Sequence, residues 1–171
     1  MKPATKHEGP PISPAGLAAL RARYDHLLGT ERPAIVEVVS WAAGNGDRSE
    51  NGDYLYGRKR MREIDRELGF LARRMKAVRV IDPASQADTG RIWFGATVTI
   101  ADEDDNHRTL TLVGDDEQDA SKALIGWSAP MARALRGAAV GDLRRVRLPG
   151  GEKEWEVMAI SYPANSEPGK G

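Results

Sequence analysis

Apolar residues recur every seven positions in two consecutive segments of the chain. In the first segment the two series are Leu17, Tyr24, Glu31 and Val38, and Leu20, Leu27, Ala34 and Trp41, and only Glu31 breaks the apolar pattern. In the second they are Tyr54, Met61, Leu68 and Met75, and Gly57, Ile64, Leu71 and Val78. Two heptad stripes of similar length, joined by a short polar loop, predict an antiparallel coiled-coil hairpin. Helices of about 28–30 residues would give a stalk of roughly 40–45 Å.

Capping and proline signals set the expected ends of these helices. Ser13 is suited to the N-cap, with Pro14 at the first helical position. Pro33 lies inside the heptad pattern and predicts a kink there rather than an end. The Asp82-Pro83 step predicts the end of the second helix.

The second half of the chain changes to the pattern of short strands. It alternates β-branched and polar residues, has turn residues between the strands, and contains one short helical segment. The predicted strands are 91–101, 108–113, 143–148 and 154–162, with turns at 102–106 and 149–151 and a helix over 130–136. These elements predict a small antiparallel sheet with one helix.

The fold class is therefore α+β, with two domains and two tails. The expected boundaries are a disordered tail at 1–11, the helical hairpin at 12–81, the sheet domain at 82–162 and a second disordered tail at 163–171. The tails are rich in Pro, Gly, Lys and Ser, which favours disorder.

Charge is distributed unevenly although the net charge is zero. Residues 12–80 hold 13 Lys and Arg against 9 Asp and Glu, whereas residues 81–162 hold 9 against 14. The first half is therefore suited to a polyanion and the second is not. The absence of cysteine excludes disulfides and thiolate metal sites. No apolar run is long enough for a membrane span and no secretory signal opens the chain, so we expect a cytoplasmic protein. We also expect it to be a monomer.

The loop between the two long helices contains Asp47 and Glu50, for which two interpretations stand. Their spacing resembles a capping box that satisfies the free amides at the start of the second helix. The same spacing places two carboxylates on one face, where they could share a hard cation such as Mg²⁺. Two oxygen ligands leave a magnesium site incomplete, so another molecule would have to supply the rest.

The second helix carries an excess of cations immediately after this acidic loop. Residues 58–79 contain nine basic and three acidic side chains. Such an excess is compatible with an ordinary solvated helix face or with contact to nucleic-acid phosphates. Arg58, Lys59 and Arg60 are the basic residues nearest the loop.

Several motifs of the chain resemble the Gre transcript cleavage factors, and most closely their GreB branch. The matching segments are 41–43, 46–51 with Tyr54, 59–66, 81–83, 93–96, 113–114, 130–135, 141–142 and 159–160, which together span residues 12–162. The resemblance implies an N-terminal coiled coil and a C-terminal FKBP-like domain. The chain departs from the family at Gly52, where Ala is usual. It departs again at Ser128 and Ala129, where an acidic or amide residue and a Ser usually precede the Pro.

The resemblance also implies a function and a set of site residues. The C-terminal domain would dock at the rim of the secondary channel of bacterial RNA polymerase, and the coiled coil would enter the channel. Asp47 and Glu50 match the acidic pair that shares a Mg²⁺ ion with the polymerase and stimulates its cleavage of backtracked nascent RNA. Arg58, Lys59 and Arg60 match the basic patch that contacts this RNA. The docking segment would be Trp127, Ser128, Ala129, Pro130 and Met131.

Under this hypothesis the chain is an accessory factor and not itself an enzyme. Two alternatives remain open at the level of sequence. A channel-blocking inhibitor of the polymerase would share the architecture, but the intact acidic pair speaks against it. A prolyl isomerase could use the FKBP-like half alone, but it would have no use for the heptad stalk.

Overall fold

A computed structural model describes residues 9–44 and 51–163, and only the backbone of residues 87–89. The chain forms two units, of which one is Leu17–Ala77 and the other combines the residues before and after it. The first unit is a helical hairpin and the second is a small sheet domain, so the predicted α+β class is confirmed. Residues 12–16 and 78–81, which the sequence assigned to the hairpin, belong to the sheet unit.

The hairpin consists of a first arm with one irregular turn and an uninterrupted second arm. Its elements are α1 Pro14–His26, a π-helical turn Leu27–Glu31, α2 Arg32–Ala43 and α3 Gly52–Ala77. The Ser13 hydroxyl accepts a hydrogen bond from the Gly16 amide at 3.0 Å, as expected of an N-cap.

The π-helical turn shifts the buried stripe of the first arm by one residue. Pro33 has no N–H to donate to the carbonyl four residues earlier, and a π-turn accommodates one additional residue at such a point. Beyond the turn, Ile35 packs against the core and Ala42 is fully buried. Ala34 and Trp41, which the constant heptad period placed in the seam, are exposed. The predicted kink is therefore a change of helical register that begins six residues before Pro33.

The core of the hairpin joins both arms around the π-turn. Leu27, Ile64 and Leu71 are buried, and a ring of half-buried apolar residues surrounds them, namely Leu20, Tyr24, Ile35 and Leu68. Burying each of the larger side chains contributes about 1.5–3 kcal/mol. Glu31, the one polar residue of the predicted stripe, forms an ion pair with Arg60 of the opposite arm. This pair explains how the stripe tolerates a carboxylate.

The second unit includes a short parallel pair built from residues on both sides of the hairpin. Strands β1 Pro11–Ile12 and β2 Arg79–Val80 pair in parallel, and the Arg79 amide donates to the Pro10 carbonyl at 2.9 Å. The chain is thus already extended after Ala77, and the second helix ends before the predicted Asp82-Pro83 step. Residues 9–11 were predicted to be part of a disordered tail, but Pro11 is buried in β1.

A five-stranded sheet forms the main part of this unit. Its strands are β3 Thr97–Ala101, β4 His107–Val113, β5 Leu124–Gly126, β6 Leu143–Leu148 and β7 Gly151–Ser161, in the order β5-β4-β3-β7-β6. The two predicted hairpins are present. The edge strand β5 pairs with β4 in parallel, so the sheet is mixed rather than wholly antiparallel.

Helix α4, Pro130–Leu135, covers the core of the sheet. Its Met131, Ala132 and Leu135 are buried against side chains of the sheet such as Leu110 and Val146. The described helices contain no segment that is long and apolar enough to cross a membrane.

Asp102 organises the turn between β3 and β4. Its carboxylate is 1% exposed and lies 2.8 Å from the Lys153 ammonium. It also accepts hydrogen bonds from the backbone amides of Asp104 at 3.0 Å and Asn106 at 2.9 Å. The bond from Lys153 is the largest cause that holds the pKa of the Asp102 carboxyl well below its usual range, and the bond from the Asn106 amide is the next.

We predict opposite effects of alanine at two glycines of α3. A Cβ atom on Gly57 would lie 2.6 Å from Cγ2 of Val39, whereas a Cβ on Gly52 would meet nothing within 4 Å. Gly52→Ala should stabilise the hairpin by about 0.5–1 kcal/mol because alanine is the better helix former. Gly57→Ala should destabilise it by about 1–3 kcal/mol through overpacking against a stiff β-branched side chain. Urea unfolding followed by circular dichroism measures both, and a stabilised Gly57→Ala variant would contradict this packing.

We also predict that Asp102 makes the stability of the sheet unit depend on pH. Because its pKa is lowered on folding, the carboxylate stabilises the native state above the unfolded pKa of about 3.9. This stability is lost as pH falls through the native pKa. Asp102→Asn should therefore lower the unfolding midpoint at pH 7, and the difference from wild type should shrink below about pH 4.

Asp105→Asn is the matched control for Asp102 in the same turn. The Asp105 carboxylate is 88% exposed and pairs with His107, so its loss should leave the midpoint close to that of wild type. A difference between wild type and Asp102→Asn that stayed constant down to pH 2 would refute the assignment.

Candidate functional site at the end of the hairpin

The acidic pair Asp47 and Glu50 lies in segment 45–50, outside the described residues. The residues that flank this segment define the end of the hairpin. The Asn51 side-chain amide donates to the Ala42 carbonyl at 2.8 Å and so joins the last turn of α2 to the start of α3. Segment 45–50 therefore leaves and re-enters the hairpin at two points that a hydrogen bond holds together.

Asn51 is also the N-cap of α3. Its side-chain carbonyl accepts hydrogen bonds from the Asp53 amide at 3.1 Å and the Tyr54 amide at 3.2 Å. These are free amides of the first helical turn, which the capping-box interpretation assigned to Asp47. Asn51 was missed as a cap by the sequence analysis, although Asn is a preferred N-cap residue. The structure thus gives the capping role at the start of α3 to a residue outside the acidic pair.

The three basic residues nearest the loop have different surroundings. Arg58 and Lys59 are exposed on α3, and the Arg58 guanidinium lies 6.0 Å from the centre of the Tyr54 ring. The Arg60 side chain is 25% exposed and bonds to the carboxylates of Glu31 and, at 3.2 Å, Glu63. The bond from Glu31 is the main cause that raises the pKa of Arg60. Arg58 and Lys59 therefore present open cations, whereas Arg60 is held in an ion-pair network of the hairpin.

The predicted docking segment is fixed by a carboxylate from outside it. Asp115 accepts hydrogen bonds from the Ser128 amide at 2.9 Å and from the Ser128 hydroxyl at 2.7 Å. A Cβ atom on Gly126 would lie 2.8 Å from the same carboxylate, so the close approach of Asp115 requires glycine there. Ser128 itself is exposed. The sequence analysis did not identify this contact.

Trp127 lies between an aromatic ring and a cation. Its indole contacts Phe94 edge to face at 6.0 Å between ring centres. The Arg136 guanidinium lies 4.3 Å from the centre of the Trp127 ring, and burial lowers the pKa of Arg136. Stacking of this kind is favourable by about 0.5–2 kcal/mol and holds the indole in one orientation.

The remaining docking residues divide between the surface and the core. Pro130 is exposed at the first position of α4, and Ala129 precedes it. Met131 is 7% exposed and packs in the core of the sheet. The expectation that Met131 contributes to a docking surface is therefore corrected, because the first turn of α4 points its side chain inward.

No group of three or more His, Asp or Glu side chains that could hold a metal ion occurs in ranges 9–44 and 51–163. The two carboxylates of the acidic pair lie outside these ranges.

Comparisons with known proteins agree with the two-part organisation of the chain. Residues 10–80 match the family model described as "Transcription elongation factor, N-terminal", and residues 86–162 match "Transcription elongation factor, GreA/GreB, C-term". A solved structure titled "Prokaryotic transcription elongation factor GreA/GreB" from Nitrosomonas europaea is 22% identical, with a TM-score of 0.40. It aligns over 90% of this chain and 99% of its own.

Curated relatives match over nearly their whole length. Transcription elongation factor GreB of Neisseria meningitidis serogroup B is 47% identical over 88% of this chain and 93% of the relative. Transcription elongation factor GreB of Pseudomonas aeruginosa is 44% identical over 90% of this chain and 91% of the relative. On these matches to both halves, the chain belongs to the GreA/GreB family of transcription elongation factors, and its similarity to GreB proteins makes it a GreB-like member.

Proposed function

We propose that this elongation factor binds bacterial RNA polymerase as a monomer and stimulates the polymerase to cleave the 3′ end of backtracked nascent RNA. The factor itself does not hydrolyse RNA. The observation that carries the proposal is that Asn51 closes the hairpin end and caps the Asp53 and Tyr54 amides of α3, so this cap does not require the acidic pair. Two acids in the connecting loop of a long hairpin are then available to another molecule.

The hairpin is suited to carry a chemical group into a narrow channel. Its second arm, α3, has 26 residues and is about 39 Å long at 1.5 Å per residue. Ion pairs join the two arms along this length, including Arg23 with Glu67 at 2.8 Å and Arg32 with Asp65 at 2.8 Å. Exposed pairs contribute little stability individually, but in this arrangement they oppose sliding of one arm along the other.

The acidic pair fits a shared Mg²⁺ ion rather than a site of its own. Mg²⁺ prefers six oxygen ligands and keeps several waters, so Asp47 and Glu50 would supply a minority of the ligands. Polymerase carboxylates and the RNA would complete the set. In a two-metal phosphodiester-cleaving site, one ion would activate the attacking water and the other would stabilise the leaving oxygen. The two carboxylates of this chain would hold the second Mg²⁺ ion, which the polymerase retains only weakly, and orient its water.

Arg58 and Lys59 would contact the phosphates of the extruded RNA. Both side chains are exposed and lie within two turns of the start of α3. Their charge would offset the repulsion between RNA and the acidic loop. Arg60, held by Glu31, contributes mainly by fixing the arms of the hairpin in register.

The sheet unit would supply the docking surface at the rim of the secondary channel. Trp127, Ser128, Ala129 and Pro130 form one continuous segment, whose conformation is held by Asp115 and by the Phe94 and Arg136 contacts of Trp127. A segment that is fixed before binding loses little conformational freedom on docking. Of the two positions that depart from the family, Ser128 is held by hydrogen bonds to the Asp115 carboxylate.

We predict that Asp47→Asn combined with Glu50→Gln abolishes stimulated cleavage and leaves polymerase binding intact. Neutral amides keep the size of both side chains but are poor ligands for Mg²⁺. Cleavage is measured as release of 3′ RNA fragments from stalled polymerase complexes, and binding by competition with labelled wild-type protein. Cleavage by the variant at the wild-type rate would refute the proposed mechanism. Loss of binding would show that the pair serves docking instead.

We also predict that the same double variant is as stable as wild type, whereas Asn51→Ala is not. Loss of an N-cap costs about 0.5–2 kcal/mol, and Asn51→Ala additionally removes the bond from the Asn51 side-chain amide to the Ala42 carbonyl. Asn51→Asp is the matched variant, because it keeps the cap acceptor and loses the donor to Ala42. Thermal unfolding followed by circular dichroism distinguishes the three. Destabilisation by Asp47→Asn with Glu50→Gln equal to that of Asn51→Ala would return the capping role to the acidic pair.

A further inference from the structure

Trp41 is a large aromatic residue that the fold places on the surface. Its side chain is 65% exposed, although the heptad pattern of the sequence predicts it in the seam of the hairpin. The π-helical turn before Pro33 shifts the stripe by one residue, so Ala42 takes the buried position and Trp41 faces outward. The fold therefore leaves most of this side chain unburied, and tryptophan is enriched among the residues that dominate binding energies.

Trp41 lines a depression near the end of the hairpin, which we call the tip pocket. The tip pocket has a volume of about 410 Å³ and is lined by Glu37, Val38, Trp41 and Asp53. Glu37 lies one helical turn before Trp41 on α2, and Asp53 lies in the first turn of α3. Within residues 9–44 and 51–163, neither carboxylate takes part in an ion pair.

We propose that the tip pocket receives a cationic side chain, Lys or Arg, of RNA polymerase when the hairpin is inserted. This inference rests on the proposed function and names a contact of the same site. The face of an indole attracts a cation placed within about 6 Å of its centre, and Trp is the strongest aromatic partner. The two carboxylates beside the indole would neutralise the charge of the guest, and the Val38 side chain would pack along its aliphatic stem.

The charge of the tip pocket favours a protein cation over RNA. A stacked base would bring its phosphates towards Glu37 and Asp53, and these carboxylates would repel them. The exposed cations Arg58 and Lys59 do not line the tip pocket. The acidic lining of the tip pocket thus favours a cation, whereas Arg58 and Lys59, which lie outside it, favour a phosphate.

A contact in the tip pocket would control the position of the hairpin end relative to the polymerase. Trp41 lies three residues before Gly44, after which the acidic segment begins. A polymerase side chain held in the tip pocket would fix the end of the hairpin close to where the acidic pair acts. The expected effect is on the affinity for polymerase and not on the chemistry once the hairpin is in place.

The test is a titration of stalled, backtracked polymerase complexes with the full-length protein. The variants are Trp41→Ala, Trp41→Phe and Glu37→Gln combined with Asp53→Asn, and the readouts are the half-saturating concentration and the maximal rate of RNA cleavage. Trp41→Ala should raise the half-saturating concentration about five- to thirtyfold and leave the maximal rate unchanged. The carboxylate variant should also raise it, and Trp41→Phe should raise it less than Trp41→Ala.

Phe70→Ala is the matched control. Phe70 is an exposed aromatic residue of the same hairpin, 49% exposed. Its depression is lined by Arg66 and Arg73, and by Glu63 and Glu67, which already pair with Arg60 and Arg23. Its removal should leave both readouts within twofold of wild type. Thermal unfolding of each variant shows whether it is folded, and Trp41→Phe keeps the test available if Trp41→Ala is not.

Three outcomes would overturn the inference. A titration of Trp41→Ala that matches wild type would remove the contact. A lower maximal rate at an unchanged half-saturating concentration would indicate a base stacked on Trp41. Tighter binding after neutralisation of Glu37 and Asp53 would indicate a polyanion in the tip pocket.

Failure of the proposed function would look different from failure of this inference. Absence of RNA cleavage with wild-type protein would refute cleavage stimulation. The tip pocket would then be tested by direct competition for polymerase, in which Trp41→Ala should still bind more weakly than wild type and Phe70→Ala should not. If both variants bound polymerase as tightly as wild type, the proposed contact of Trp41 with a polymerase cation would be refuted.

Discussion

The side chain of Asn51 holds the end of the hairpin together. One amide group caps two N–H groups in the first turn of α3 and binds the Ala42 carbonyl of α2. Loss of such a cap costs about 0.5–2 kcal/mol, which is appreciable beside the stability of a small helical unit. A single side chain thus caps the amides of Asp53 and Tyr54, so this cap does not require Asp47 or Glu50. Asp47 and Glu50 are then available for the shared Mg²⁺ ion of the proposed function.

Pro33 influences which side chains of α2 face the core of the hairpin and which face outward. The missing amide of Pro33 is accompanied by a π-helical turn, and the turn changes which residues of α2 face the core. Ala42 is buried as a consequence, and Trp41 lies on the surface near the acidic loop. The missing backbone N–H of Pro33 is thus linked to the exposure of Trp41, the residue for which we propose a contact with the polymerase. The ion pairs of Glu31 with Arg60 compensate for the carboxylate that this register leaves between the arms.

Much of this fold follows from sequence patterns, and the exceptions have physical causes. The hairpin, the Ser13 cap and the two β-hairpins were predicted because period, caps and turns act locally. The exposure of Trp41 was not, because a heptad count assumes a constant period. The pair β1–β2 and the parallel edge strand β5 are too short to give a pattern and depend on tertiary pairing. Asp47 and Asn51 are both acceptable caps by residue type, and only the bonds from the Asp53 and Tyr54 amides assign this cap of α3 to Asn51. The contact of Asp115 with Ser128 links residues 13 positions apart and has no local signal.

The account depends on one claim, that this factor makes RNA polymerase cut its own transcript. The most direct measurement adds the purified protein and Mg²⁺ to backtracked polymerase complexes that carry RNA labelled at the 5′ end, and follows RNA length over time. The account predicts shortened transcripts that the polymerase extends again when nucleotides are supplied. Transcripts that keep their full length while elongation slows would contradict it and identify a channel-blocking inhibitor.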